Sequence, residues 1–208
     1  MGKGSKRRVY CSGPLFCTEE VREMADIAGV LEKAGYETFL PHRDGLEAFM
    51  MKSGKDLLTR LLMLTPVARW VNRAAFALDI FQVIEGCDYF VFNMNGRVPD
   101  EGGVVETAVA FGSGKPLVIY KSDHRSLAGG FDDPTISGAV LALSTVDEIG
   151  LIPGELEKAA VAVALRGENP YTPESAPPFV RDALELGRTV WRFRRLLDIL
   201  KPGNGLIR

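Results

Sequence analysis

The run RVYCSGPLFCTEEVREMADIAGVLEKAGYETFLP, residues 8 to 41, decides the fold. Arg8-Val9-Tyr10-Cys11-Ser12 has the β-branched and aromatic content of a strand, and Gly13-Pro14 stops it. Thr18 with Glu19-Glu20 reads as a helix start, with acids in the first turn. Val21, Met24, Ile27, Ala28, Leu31 and Ala34 then recur at helical spacing up to Gly35, a C-cap residue. Tyr36-Glu37-Thr38-Phe39-Leu40 is a second strand, ended by Pro41. Strand, helix and strand of these lengths predict a parallel pair joined by a right-handed crossover.

Outward from this unit the same alternation continues. Leu57, Leu58, Leu61, Leu62 and Leu64 suggest a helix ending at Thr65-Pro66. A further helix is predicted from about Arg69 to Glu85, then a strand over 88–93 after Gly86. Segment 46–78 is long and apolar, suited to a lid or an interface. Asn95 to Glu106 is a turn-rich loop dense in acids, and the spacing makes Glu106 the opening of the next helix. Lys115 to Tyr120 is another strand, and Val140-Leu141-Ala142-Leu143 is the last apolar run. The expected architecture is an α/β domain over 8–147, with a C-terminal helical extension over 148–208. The extension holds a helix from Pro153 to Leu165, a polar connector over 167–178, and a final helix whose wide apolar face suits core packing or a subunit interface.

Composition excludes several classes of function. The formal charge is −2 and no long basic block occurs, so nucleic acid polymers are not expected partners. No apolar run reaches the roughly 18 residues of a membrane span, and no signal-peptide pattern opens the chain. Three cysteines without CxxC spacing and two distant histidines, His42 and His124, make a metal site or a disulfide framework unexpected. These features together predict a cytoplasmic protein without a cofactor.

Nucleotide-binding fingerprints are missing: Gly13-Pro14 follows the first strand without the glycines of GxGxxG, and no GxxxxGK[ST] occurs. What remains is a set of carboxylates near strand ends: Asp44, Asp79, Asp88, Asp100, Glu101 and Glu106. In open α/β sheets ligands bind where the carboxyl ends of strands feed such loops. Two carboxylates can run glycosyl transfer without a metal, one as nucleophile and one as acid.

Five segments, in order, are similar to the motifs of the nucleoside 2-deoxyribosyltransferase family. They are Val9 to Phe16, Pro41-His42-Arg43-Asp44-Gly45, Gly96 to Gly102 with Glu106, Gly114-Lys115-Pro116, and Tyr120-Lys121-Ser122-Asp123. The resemblance covers roughly residues 8 to 143. It implies a flavodoxin-like, Rossmann-like parallel sheet flanked by helices that moves a 2-deoxyribosyl group between nucleobases with retention. Glu106 matches the nucleophile and Tyr10 the tyrosine that orients it. Asp79 matches the acid that protonates the leaving base, with Asp88 as the alternative.

Asp100 matches the residue that binds the sugar hydroxyls. Gly13, Arg43, Asp44, Gly102 and Asp133 fall in the implied substrate site, Gly102 and Gly103 leaving room for the sugar and Asp133 reaching a neighbouring subunit's site. Ala108 and Asp133 depart from the family pattern, which has glycine and asparagine there. Implied partners are a deoxynucleoside, a free base and further copies of the chain. Hydrolysis of the deoxynucleoside, or nucleoside sensing without turnover, are the alternatives.

Overall fold

A computed structural model describes residues 7–47, 66–96, 98–123, 144–165, 167 and 175–199. The leucine-rich helix expected over 57–64, the apolar run 140–143 and Asp133 lie outside the described residues. Five parallel strands form one sheet: β1 (Arg8–Ser12), β2 (Glu37–Phe39), β3 (Tyr89–Asn93), β4 (Leu117–Tyr120) and β5 (Ser144–Val146). Their order across the sheet is β2-β1-β3-β4-β5. This is the doubly wound flavodoxin-like arrangement, in which the chain reverses direction across the sheet between β1 and β3. The expected α/β class and parallel sheet are therefore present.

The period-2 alternation of the strands sorts residues between two helical layers. From β1, Val9 and Cys11 join Tyr89 and Val91 of β3 on one face. Helices α1 (Thr18–Lys33) and α5 (Ile152–Leu165) cover that face with Met24, Ile27, Leu31, Ile152 and Leu156. Tyr10 of β1 and Phe90 and Phe92 of β3 point to the other face, with Phe39, Leu117 and Ile119. Helices α3 (Pro66–Phe81), α4 (Glu101–Gly112) and α6 (Pro178–Ile199) lie on that side. Every residue of β3 and β4 is buried, as expected for strands with helices on both faces. Short helix α2 (Pro41–Asp44) follows β2.

α3 runs into a π-helical turn, Gln82–Gly86, where Cys87 N–H donates to Gln82 O at 2.8 Å. The turn delivers the chain to β3 close to the predicted boundary. α6 docks against α3 through Gly187, where a side-chain Cβ would collide with Ala77 O and lie 2.5 Å from Phe81 Cβ. Trp191 of α6 packs edge-on against Phe39 at 5.7 Å between ring centroids.

Gly103 sets the distance between α4 and the sheet. A Cβ there would collide with the Phe92 ring and lie 3.0 Å from Ser12 Oγ. Glycine to alanine inside a helix ordinarily stabilises by about 1 kcal/mol. At residue 103 the overpacking outweighs that gain, because it forces strand and helix apart at a cost of about 1–3 kcal/mol. Gly103→Ala should therefore lower the denaturant midpoint, whereas Gly112→Ala, with open space around it, should not.

Candidate active site at the carboxyl ends of β1 and β3

Tyr10 and Ser12 are two residues apart on β1, so both side chains leave the same face of the sheet. That face receives α4, and both hydroxyls donate to one carboxylate. Tyr10 Oη reaches Glu106 Oε1 at 2.8 Å, and Ser12 Oγ reaches Glu106 Oε2 at 2.5 Å. Each oxygen of Glu106 thus has its own donor. The Tyr10 ring is fully buried and stacked between Phe39 and Phe90, with centroids at 5.3 and 5.5 Å. Such packing gives the phenol one available position.

Glu106 does not open its helix. α4 begins at Glu101 with Asp100 as N-cap, its Oδ2 accepting Gly103 N–H at 2.7 Å. Glu106 is therefore in the second turn, where the helix dipole has largely fallen off. Its carboxylate is held by side-chain hydroxyls rather than by helix-end amides. The glycine pair obscured this in the sequence, because glycines read as loop while Asp100 supplies the cap. Gly103 is occupied by packing against Phe92 and Ser12, so the space expected there for a sugar is not open. Gly102 is exposed at the helix start, and Glu101 is exposed beside it.

Asp79 joins the same cluster from α3. It lies within hydrogen-bonding reach of Tyr10 and faces the charges of Glu106 and Glu47. Its Oδ1 is buried without a partner among the described residues. Burial, followed by those neighbouring charges, holds Asp79 well above the ordinary carboxylate range. Burial also pushes Glu106 up, to about 7, against the opposing hydrogen bonds of Ser12 and Tyr10. Asp100 is half-buried and raised by that burial, with the Gly103 amide pulling the other way.

The other expected site residues are placed elsewhere. Asp88 sits at the amino end of β3 and accepts Arg8 N–H at 2.9 Å, at the opposite end of the sheet from Glu106. It caps the start of strand pairing and lies apart from the carboxylate cluster. Arg43 turns back along the outer edge of β2, bonded to Glu32, Asp44 and Thr38 O. Asp44 accepts Leu40 N–H at 3.0 Å and closes the α2 turn. These ionic partners draw both side chains away from the carboxylate cluster. At Gly13, a Cβ would lie 2.7 Å from Asn93 Cβ and from Met24 Sδ, so glycine there serves the packing of the β1 exit.

Two residues of the cluster escaped the sequence reading. Ser12 was legible in principle, since it shares a strand face with Tyr10. Glu47 carried no local signal; only the fold of the α2 exit brings it to Asp79. At the strand exits, Asn95 braces the loops after β3 and β4: its Oδ1 accepts Ser122 N–H and Asp123 N–H, each at 2.9 Å, and its Nδ2 donates to Glu23 at 2.8 Å. Among the described residues no group of side chains is arranged to hold a metal ion. No described helix is long and apolar enough to cross a membrane.

A carboxylate gripped by two hydroxyls with further carboxyl groups beside it defines a class of protein: a flavodoxin-like α/β domain with a carboxylate site. The family model of nucleoside 2-deoxyribosyltransferase matches residues 9–169, and the chain belongs to that family. No curated protein matches the chain. Among solved structures, it is similar to a conserved protein from Enterococcus faecalis V583, with 16% identity and a TM-score of 0.47. That match covers 74% of this chain and 99% of the other.

The raised acids make stability depend on pH. Glu106 has a folded-state value of about 7 against an ordinary 4.5, so the folded protein binds its proton more tightly than the unfolded chain does. Its stabilising contribution is complete below about 4.5 and is lost as pH rises through about 7. Thermal midpoints should fall over that window in the wild type. Glu106→Gln, which cannot ionise, should flatten the fall.

Proposed function

We propose that the protein transfers a 2-deoxyribosyl group between nucleobases through an ester on Glu106. The observation that carries this reading is the double grip of Tyr10 and Ser12 on the Glu106 carboxylate, with Asp79 facing it. A carboxylate with both oxygens fixed presents a lone pair in one direction, which a nucleophile needs and a simple binding group does not.

In the first step a Glu106 oxygen attacks C1′ of the deoxynucleoside. The C1′–N bond breaks, its electron pair goes to the base nitrogen, and Asp79 supplies the proton that nitrogen takes up. In the second step a nitrogen of the incoming base attacks C1′, the ester C–O bond breaks, and Glu106 recovers its charge. The proton shed by the incoming base returns to Asp79. Two displacements at one carbon retain its configuration.

Asp100, half-buried at the head of α4, is the residue assigned to the sugar hydroxyls. A nucleoside is favoured over a nucleotide by the α1 entrance. Phe16 N–H and Cys17 N–H both donate to Glu20 Oε2, at 2.7 and 3.1 Å. Those amides are thereby withheld from a phosphate, and the Glu20 charge, which also faces Asp100, would repel one.

The test is incubation with a deoxynucleoside, with and without a second free base, followed by separation of products. Base exchange supports transfer, release of free sugar supports hydrolysis, and absence of both supports sensing. Glu106→Ala should abolish exchange; retained activity would overturn the mechanism.

Tyr10→Phe keeps the stacked ring and removes one charged hydrogen bond, which should lower kcat/KM by about 10- to 100-fold. Because that bond holds Glu106 down, the acidic limb of the rate profile should move to higher pH in the same variant.

A further inference from the structure

Three carboxyl groups face the Tyr10 hydroxyl, and the mechanism above uses two of them. The third is Glu47, three residues beyond α2. The nearby backbone amides of Leu46 and of Glu47 itself favour its charged form, against the effect of burial. A Cβ on Gly45 would lie 2.6 Å from Glu47 Oε2, so the glycine lets the carboxyl fold back over the turn. Held in this way, Glu47 lies within hydrogen-bonding reach of Asp79. Each keeps one oxygen, Glu47 Oε2 and Asp79 Oδ1, buried without a partner among the described residues.

Two carboxylates carry only acceptors, so a hydrogen bond between them requires a proton. Their repulsion at such close range favours the same result. Among the described residues the groups that face the pair are Tyr10 from β1 and Glu106 from α4, and neither is cationic. We propose that Glu47 is a positioning residue that keeps a proton on Asp79, the two carboxyls sharing one proton that Asp79 delivers to the departing base. The use of that proton rests on the deoxyribosyl-transfer reading; the sharing does not.

Charge balances through the step. Before transfer, Glu106 and the pair carry one negative charge each. When Glu106 becomes an ester it loses its charge, and the pair, having given its proton to the base nitrogen, gains one. The site therefore holds the same total charge throughout, and repulsion within the doubly ionised pair favours recovery of a proton from the incoming base. Asp79 and Glu47 both stand above the ordinary carboxylate range, burial being the first cause for each.

Infrared difference spectroscopy, without substrate and in a Glu106→Gln background, reads the pair alone. A protonated-carboxyl band should be present at neutral pH and disappear in Asp79→Asn. In Glu47→Gln, which keeps shape but not charge, its titration midpoint should fall by about one pH unit or more, the coupling that marks an interacting pair. No band at neutral pH, or an unchanged midpoint in Glu47→Gln, would overturn the proposal.

With Glu106 intact, Glu47→Gln should move both limbs of the base-exchange profile to lower pH, since the Glu47 charge raises Glu106 as well as Asp79. A uniform loss of rate with unmoved limbs would mean that Glu47 is only structural. The band without base exchange in the wild type would sink the transfer reading and leave the shared proton standing. Exchange without the band would do the reverse.

Discussion

The contact between β1 and α4 at Glu106 is the constraint on which the rest of the site depends. Two hydroxyls from one strand face take the two oxygens of one carboxylate. For this to happen the helix must lie almost on the strand, and Gly103 against Phe92 and Ser12 permits that approach. The Tyr10 ring must also be immobile, which its stacking between Phe39 and Phe90 provides. Packing on one face of the sheet therefore sets the geometry of the chemistry at its end.

The same packing sets the electrostatics. Glu106, Asp79 and Glu47 are each half-buried under the helices of this face, and burial is the leading cause of the rise in all three. In water, three carboxyl groups near neutral pH would all be ionised. Here their environments differ: Glu106 is bonded by two hydroxyls, while Asp79 and Glu47 face each other. Environment rather than residue type assigns such roles.

The elements were largely legible from the chain, because hydrophobic period reports directly on which faces are buried. Val21, Met24, Ile27 and Leu31 mark α1 by their spacing, and three of the four are buried beneath it. Boundaries that depend on caps were less legible. The spacing alone puts the start of α4 five residues late, since Gly102-Gly103 mask a helix that Asp100 caps. Site residues divided the same way. Tyr10, Asp79 and Glu106 converge as read, while Asp88, Arg43 and Asp44 are drawn off by the Arg8 amide, Glu32 and the α2 turn. Nothing local distinguishes a strand-end acid that faces a site from one that caps a strand.

What the sequence by itself determined is the parallel α/β order, the family and the set of carboxylates from which the site is drawn. These rest on periodicities and motifs that are local along the chain. Only the tertiary structure decided that Ser12 completes the grip on Glu106, that Glu47 meets Asp79, and that Asp88 sits at the other end of the sheet. Those outcomes depend on contacts between β1 and α4, and between the α2 exit and α3. Residues that close such contacts are separated by 94 positions for Ser12 and Glu106. A distance of that kind is set by how layers pack, and no pattern within one segment carries it.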